Sequence, residues 1–246
     1  MKKIIAANWK MKLSYQESLA LAKEYRASRA LKTSDKDIIV CPDFISLAAV
    51  SGIIAGGTLF LGGQNSAPVL RGAATGEVSP ADLKSVGADY VILGHSERRE
   101  NFREDSFLVA EKIKAALDAG LVPIVCLGEK LIDRQNGETR KYLRAELKRL
   151  LGRLKLGAKG RLIIAYEPVW AISGAKDAKA MDPEEADMAL SFIKEASLKI
   201  MGKKAPVLYG GSVDGANAGA YLKMKNIDGL LVGAASLNLA ELEKIC

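Results

Sequence analysis

Short apolar, β-branched runs alternate with stretches of helical period along the whole chain, and no other feature limits its fold as tightly. The runs are Ile4 to Asn8, Asp37 to Cys41, Thr58 to Gly62, Tyr90 to Gly94, Val122 to Leu127, Leu162 to Tyr166, Val207 to Gly210 and Leu230 to Gly233. Between them, Ser14 to Leu31 puts Leu19, Ala22 and Tyr25 on one helical face, and Arg103 to Ala119 does the same for Phe107, Ala110, Ile113 and Leu117. Asp182 before Pro183-Glu184-Glu185 predicts an N-cap and a first helical turn, leading into Met188, Phe192 and Ile193. Strands separated by helices pair in parallel and are buried on both faces. Eight such units in 246 residues, with no linker or shift of composition, predict an α/β fold. The expected form is a closed (β/α)8 barrel filling residues 1–246 as one domain, with an open doubly wound sheet as the alternative.

Composition sets aside several function classes. Hydrophobic residues make up 49% of the chain and charged residues 26%, which suits a globular core without long disorder. Met1-Lys2-Lys3 precedes only Ile4 to Ala7 before Asn8 and Lys10 break the run, so no signal peptide and no membrane association is expected. Cys41, Cys126 and Cys246 are odd in number and lack metal-type spacing, which points to a reducing cytoplasm. The net charge of +7 would suit an anionic partner. Its densest cluster (Arg140, Lys141, Arg144, Lys148, Arg149, Arg153, Lys155 and Lys159) is spaced as a solvated helix face opposite Leu143, Leu147, Leu150 and Leu151. Aromatics do not interleave with it, so nucleic-acid binding is not expected.

In barrels of this type the chemistry lies at the C-terminal ends of the strands. Those ends carry Asn8 and Lys10, His95 and Glu97, Glu129, and Glu167. Burial makes ionising a carboxylate costly. Glu167 closes an apolar strand and is followed by Pro168 and a loop containing Gly174, the pattern of a general base beneath a hinged lid. A strand-terminal glutamate facing water is the plainer alternative. The last two strands end in Gly210-Gly211-Ser212 and Gly233-Ala234-Ala235-Ser236, small-residue turns whose N–H groups can approach an anion.

Seven motifs in order resemble the triosephosphate isomerase family from end to end. They are Ala6-Ala7-Asn8-Trp9-Lys10-Met11, Gln64-Asn65 with Gly72-Ala73-Ala74-Thr75-Gly76-Glu77, Gly94-His95-Ser96-Glu97-Arg98-Arg99, Cys126-Leu127-Gly128-Glu129, Ala165-Tyr166-Glu167-Pro168-Val169-Trp170, Tyr209-Gly210-Gly211-Ser212-Val213, and Leu231 through Leu237. The resemblance implies interconversion of dihydroxyacetone phosphate and glyceraldehyde 3-phosphate through an enediolate, without cofactor or metal. It implies Glu167 as base, His95 as neutral electrophile, Lys10 as fixed positive charge, Asn8 as a polar contact, and Glu97 placing Lys10 and substrate. The neutral imidazole is carried over from the family, itself a standard case of pKa tuning, and is not read from these residues. The same resemblance implies phosphate held by Asn8, Lys10, Ser173, Ser212, Gly233 and Ala234, an apolar clamp of Ile172 and Leu231, and a homodimer. The dimer would form through the Gln64–Glu77 loop, with Thr75 reaching the Asn8 and Lys10 region of the partner subunit.

Three departures from the family pattern carry expectations. Ser173, Gly174 and Ala175 alter the lid, either replacing two glycines or with Ser173 as an insertion that leaves Gly174 at the phosphate contact, and the stretch to Pro183 is longer than usual. Serine and alanine resist the positive φ that glycine permits, so a less populated closed lid and slower turnover than is usual for the family are expected. Ala234 stands where a second glycine is common. Ala74 replaces an aromatic at the loop tip and Lys12 replaces an asparagine, so a weakened dimer is expected. Two competing readings remain: another phosphate-binding barrel such as an aldolase, and a catalytically impaired phosphate-binding barrel with an altered lid.

Overall fold

The computed structural model describes residues 2–154, 160–172 and 180–246. Eight strands close into a parallel barrel in chain order, which excludes the open sheet: β1 Ile4–Asn8, β2 Asp37–Cys41, β3 Leu59–Gly63, β4 Tyr90–Leu93, β5 Val122–Leu127, β6 Ile163–Tyr166, β7 Val207–Tyr209 and β8 Gly229–Val232. The ring shuts through β1 and β8, where Ile4 to Ala7 register with Gly229 to Val232. The helices are α1 Tyr15–Ala27, α2 Arg29–Thr33, α3 Phe44–Ile54, α4 Pro80–Ser85, α5 Ser96–Asn101, α6 Ser106–Asp118, α7 Leu131–Gln135, α8 Thr139–Leu151, α9 Pro183–Met201, α10 Ala218–Leu222 and α11 Leu239–Ile245. Among the described residues no helix is long and apolar enough to cross a membrane.

Alternation along the strands sorts side chains into two cores. Ile4 and Ala6, Ile39 and Cys41, Tyr90 and Ile92, Ile124 and Cys126, Ile163 and Ala165, with Leu208 and Leu231, pack together inside the barrel. Their neighbours Ile5, Val40, Val91, Leu93, Val125, Ile164, Val207 and Val232 join the helices in the outer core. The interior is tight enough that a Cβ on Gly62 would meet the Cys41 sulfur at 2.6 Å. Followed two residues further, the inward phase of β1 ends on Asn8, that of β6 on Glu167, that of β7 on Gly210 and that of β8 on Gly233. The barrel's pleat therefore delivers these residues to its C-terminal mouth.

Local signals explain where the helices begin and which faces they bury. Asp182 caps α9, its side chain accepting from the N–H groups of Glu184 and Glu185. Ser14 and Glu17 form a capping box at α1. The helix expected over 14–31 is instead two, because the Ser28 side chain accepts from Leu31 N–H and starts α2. Phe107 and Met188 are exposed rather than core-facing, and the buried faces of α6 and α9 are Val109, Ile113 and Ala116, and Ala186, Leu190 and Ile193. The basic residues of α8 lie in solvent opposite buried Leu143, Leu147, Leu150 and Leu151, as their spacing predicts.

Candidate active site

At the mouth, Asn8, Lys10, Lys12, His95, Glu167, Ile172, Gly210, Gly211, Leu231, Gly233 and Ala234 line one cavity of about 180 Å³. The ends of five strands, β1, β4, β6, β7 and β8, thus converge on it. Asn8, His95 and Glu167 are buried, whereas the Lys10 side chain is partly open. Leu231 and Ile172, the pair expected to form an apolar clamp, border the same space as Glu167. Ser173, Gly174, Ala175 and the stretch to residue 179 lie outside the described residues.

His95 is held by a hydrogen bond on one ring nitrogen and faces a carboxylate with the other. It is the N-cap of α5, and its Nδ1 accepts from Glu97 N–H at 3.2 Å. A nitrogen that accepts carries no proton, so the hydrogen sits on Nε2. Nε2 lies 3.2 Å from Glu167 Oε1 and faces it. The other carboxylate oxygen, Oε2, accepts from Ser96 N–H at 3.2 Å. Gly210 completes the setting, since a Cβ there would come within 2.8 Å of Glu167 Cγ.

Lys10 adopts φ of 54°, a left-handed conformation uncommon outside glycine. Its backbone is fixed from both sides: Asn8 Oδ1 accepts from its N–H at 3.1 Å, and Gln64 Nε2 donates to its carbonyl at 2.8 Å. Gln64 Nε2 also reaches the Cys41 carbonyl at 3.0 Å. The Lys10 ammonium meets Glu97 Oε1 at 2.6 Å. Burial pushes the Glu97 carboxyl up, but the hydrogen bond and charge of Lys10, with Lys12 behind them, bring it below the usual carboxylate range. Sequence reasoning assigned Gln64 to the projecting loop alone and missed this clamp. Gln64→Leu removes two hydrogen bonds to partly buried carbonyls, so we expect a loss of about 1–3 kcal/mol in stability. Turnover should fall about tenfold as Lys10 relaxes from its strained backbone. Thermal unfolding and steady-state kinetics on the same preparation check both.

The segment from Pro168 to Ile172, the stem of the expected lid, is anchored to the end of β5. Glu129 is wholly buried, accepts from Tyr166 Oη at 3.1 Å and Trp170 Nε1 at 3.0 Å, and offers its carbonyl to Val169 N–H. Arg134 stacks on Trp170 at 4.3 Å and pairs with Glu185 of α9. Cys126 is buried, with its thiol pushed up first by burial and then by the charge of Glu167, so it stays protonated and inert. Ser212 sits apart from the cavity lining. Both its N–H and its hydroxyl donate to Ala171 O at 2.9 Å, tying the end of β7 to the lid stem. Gly233 and Ala234 do face the cavity, at the start of a 3-10 turn over Ala234–Leu237. Thr75 is exposed on its loop.

A carboxylate, a donor imidazole N–H, an ammonium and a small-residue turn around one small cavity can together remove a proton beside a carbonyl and hold a phosphate. Comparison with known proteins agrees with that chemistry. A sequence model described as triosephosphate isomerase matches residues 3–246. The triosephosphate isomerase of Dehalococcoides mccartyi (strain CBDB1) is 43% identical over 99% of this chain and 94% of its own length. That of Syntrophotalea carbinolica is 41% identical over 98% of this chain and 96% of its own, and that of Clostridium beijerinckii 39% over 99% and 98%. The chain belongs to the triosephosphate isomerase family.

Proposed function

We propose that this chain interconverts dihydroxyacetone phosphate and glyceraldehyde 3-phosphate, with residues 1–246 acting as one catalytic unit in the cytoplasm. The observation that carries the reading is the His95–Glu167 pair, a donor Nε2–H against a buried carboxylate at the mouth of the barrel. Glu167 takes a proton from the carbon next to the carbonyl, and His95 Nε2–H stabilises the oxygen as the enediolate forms. The hydroxyl proton of that carbon passes to the former carbonyl oxygen, and the proton held by Glu167 returns to the neighbouring carbon, giving the isomer. Glu167 Oε2 is held by Ser96 N–H and Oε1 stands before His95 Nε2, so the carboxylate must turn from Ser96 toward the cavity as substrate enters. Lys10 supplies positive charge to the developing oxyanion, and Glu97 holds it there. Phosphate would be bound by the N–H groups of Gly233 and Ala234, together with Asn8 and Ser173. Ser212 joins them only by exchanging Ala171 O for a phosphate oxygen. Ile172 and Leu231 keep water from the base.

The working form we propose is a homodimer through the Gln64–Glu77 loop. Met11, Phe44, Ile45, Val69, Leu70 and Phe102 are large apolar side chains left exposed, and all follow the first four strands at the same end of the barrel. Such a patch favours a protein partner over water. Ala74 is a small residue at the loop's tip, so the contact should be weak. Purified protein should isomerise glyceraldehyde 3-phosphate, and specific activity should fall on dilution into the nanomolar range, in step with dissociation followed by sedimentation. Inactive protein that still binds a phosphate analogue would instead favour the impaired-barrel reading. Activity independent of concentration, from a sedimenting monomer, would refute the dimer requirement.

A further inference from the structure

Lys12 is a charged group of the cavity that the reaction outlined above leaves idle. It lines the same space as Lys10, His95 and Glu167, and it is exposed. Among the described residues its ammonium has no hydrogen-bond or ion-pair partner, whereas Lys10 is bound to Glu97 at 2.6 Å. The charge of Lys10 is thus offset by Glu97, and that of Glu167 stands uncompensated before a substrate whose phosphate is close to dianionic at neutral pH. A second cation at the mouth corrects that balance. Its field already reaches the site, since Lys12 is among the groups that lower the Glu97 carboxyl.

We propose that Lys12 is a second substrate-binding cation, which draws the phosphate dianion to the mouth of the cavity. This rests on the isomerase reading above. It also changes the meaning of lysine at this position, which the sequence suggested only as a source of repulsion between subunits. An ammonium acting through solvent at the rim contributes mainly to capture and little to the chemical step, so its loss belongs in kcat/KM rather than kcat.

The test compares Lys12→Met and Lys12→Arg with wild type. At about 20 mM ionic strength, Lys12→Met should lower kcat/KM about five- to tenfold with kcat within about twofold, and the deficit should shrink to under about twofold near 0.5 M salt. Inhibition by inorganic phosphate should weaken to a similar degree, and Lys12→Arg should restore both. Sedimentation of the variants separates an effect on assembly from one on capture. The proposal is overturned if Lys12→Met leaves kcat/KM and phosphate inhibition unchanged. It is equally overturned if the loss is independent of salt and not rescued by arginine, as a structural role would give. Should wild type fail to isomerise the triose phosphates, the isomerase reading falls by itself. Calorimetric binding of inorganic phosphate to wild type and Lys12→Met then still decides whether Lys12 binds phosphate.

Discussion

Glu167→Gln should lower kcat by about 10³-fold or more, the upper part of the range for removing a positioned general base. Glutamine keeps the shape of the side chain, and its carbonyl oxygen can still accept from Ser96 N–H, as Glu167 Oε2 does at 3.2 Å. What it cannot do is take a proton from carbon. Phosphate-analogue affinity and the near-ultraviolet circular dichroism should therefore stay close to wild type, which separates lost chemistry from lost structure. Buried beside the carboxylate is the Cys126 thiol, which burial keeps protonated. It offers no substitute base, nor does His95, whose Nδ1 is committed to Glu97 N–H and whose Nε2 bears the hydrogen. A variant retaining a tenth of wild-type turnover would mean that another group removes the proton and that the base has been misassigned.

The parts of the site legible in the sequence are those set by strand phase. Asn8, Glu167, Gly210 and Gly233 follow from period-two alternation carried past the strand ends, and the glycine-rich turns advertise close backbone approach. Contacts between residues distant in sequence had no such signal. Gln64 reaches back 54 positions to the Lys10 carbonyl. Glu104 Oε1 meets Arg98 at 2.6 Å and Lys112 at 2.5 Å, and Lys112 extends to Asn65 at 3.0 Å, tying α5, which carries Glu97, to α6 and to the base of the projecting loop. Each of these residues looks in sequence like an ordinary surface charge or amide. Only the closed barrel brings them to one place. Helix faces failed for a different reason: Phe107 obeys the helical period, but the face of α6 that is buried runs through Val109, Ile113 and Ala116 and leaves Phe107 exposed.

The largest structural effect is expected at Gly128. A Cβ there would lie 1.8 Å from the Glu167 carbonyl oxygen and 2.3 Å from its carbon, so backbone rather than a movable side chain is in the way. The four residues of that motif then have separate duties toward the same strand. Cys126 fills the barrel beneath Glu167, Leu127 offers its carbonyl to Glu167 N–H at 2.8 Å, Gly128 allows the approach, and Glu129 receives Tyr166 and Trp170. Gly128→Ala must push the ends of β5 and β6 apart, breaking the Leu127–Glu167 bond and the anchoring of the lid stem together. We expect a loss of about 4 kcal/mol or more, in the range reserved for overpacking against backbone. For a chain of this size that lowers Tm by about 8–16 °C. Turnover of the fraction still folded should also fall at least about tenfold, because an ångström-scale displacement of the base spoils its alignment. Gly52→Ala is the control: it lies in α3 with nothing within 4 Å of the added Cβ, and should stabilise by about 0.5–1 kcal/mol through helix propensity. If differential scanning calorimetry finds the two alanines equally benign, the close approach of β5 to β6 does not position Glu167, and the Cys126–Glu129 motif needs another explanation.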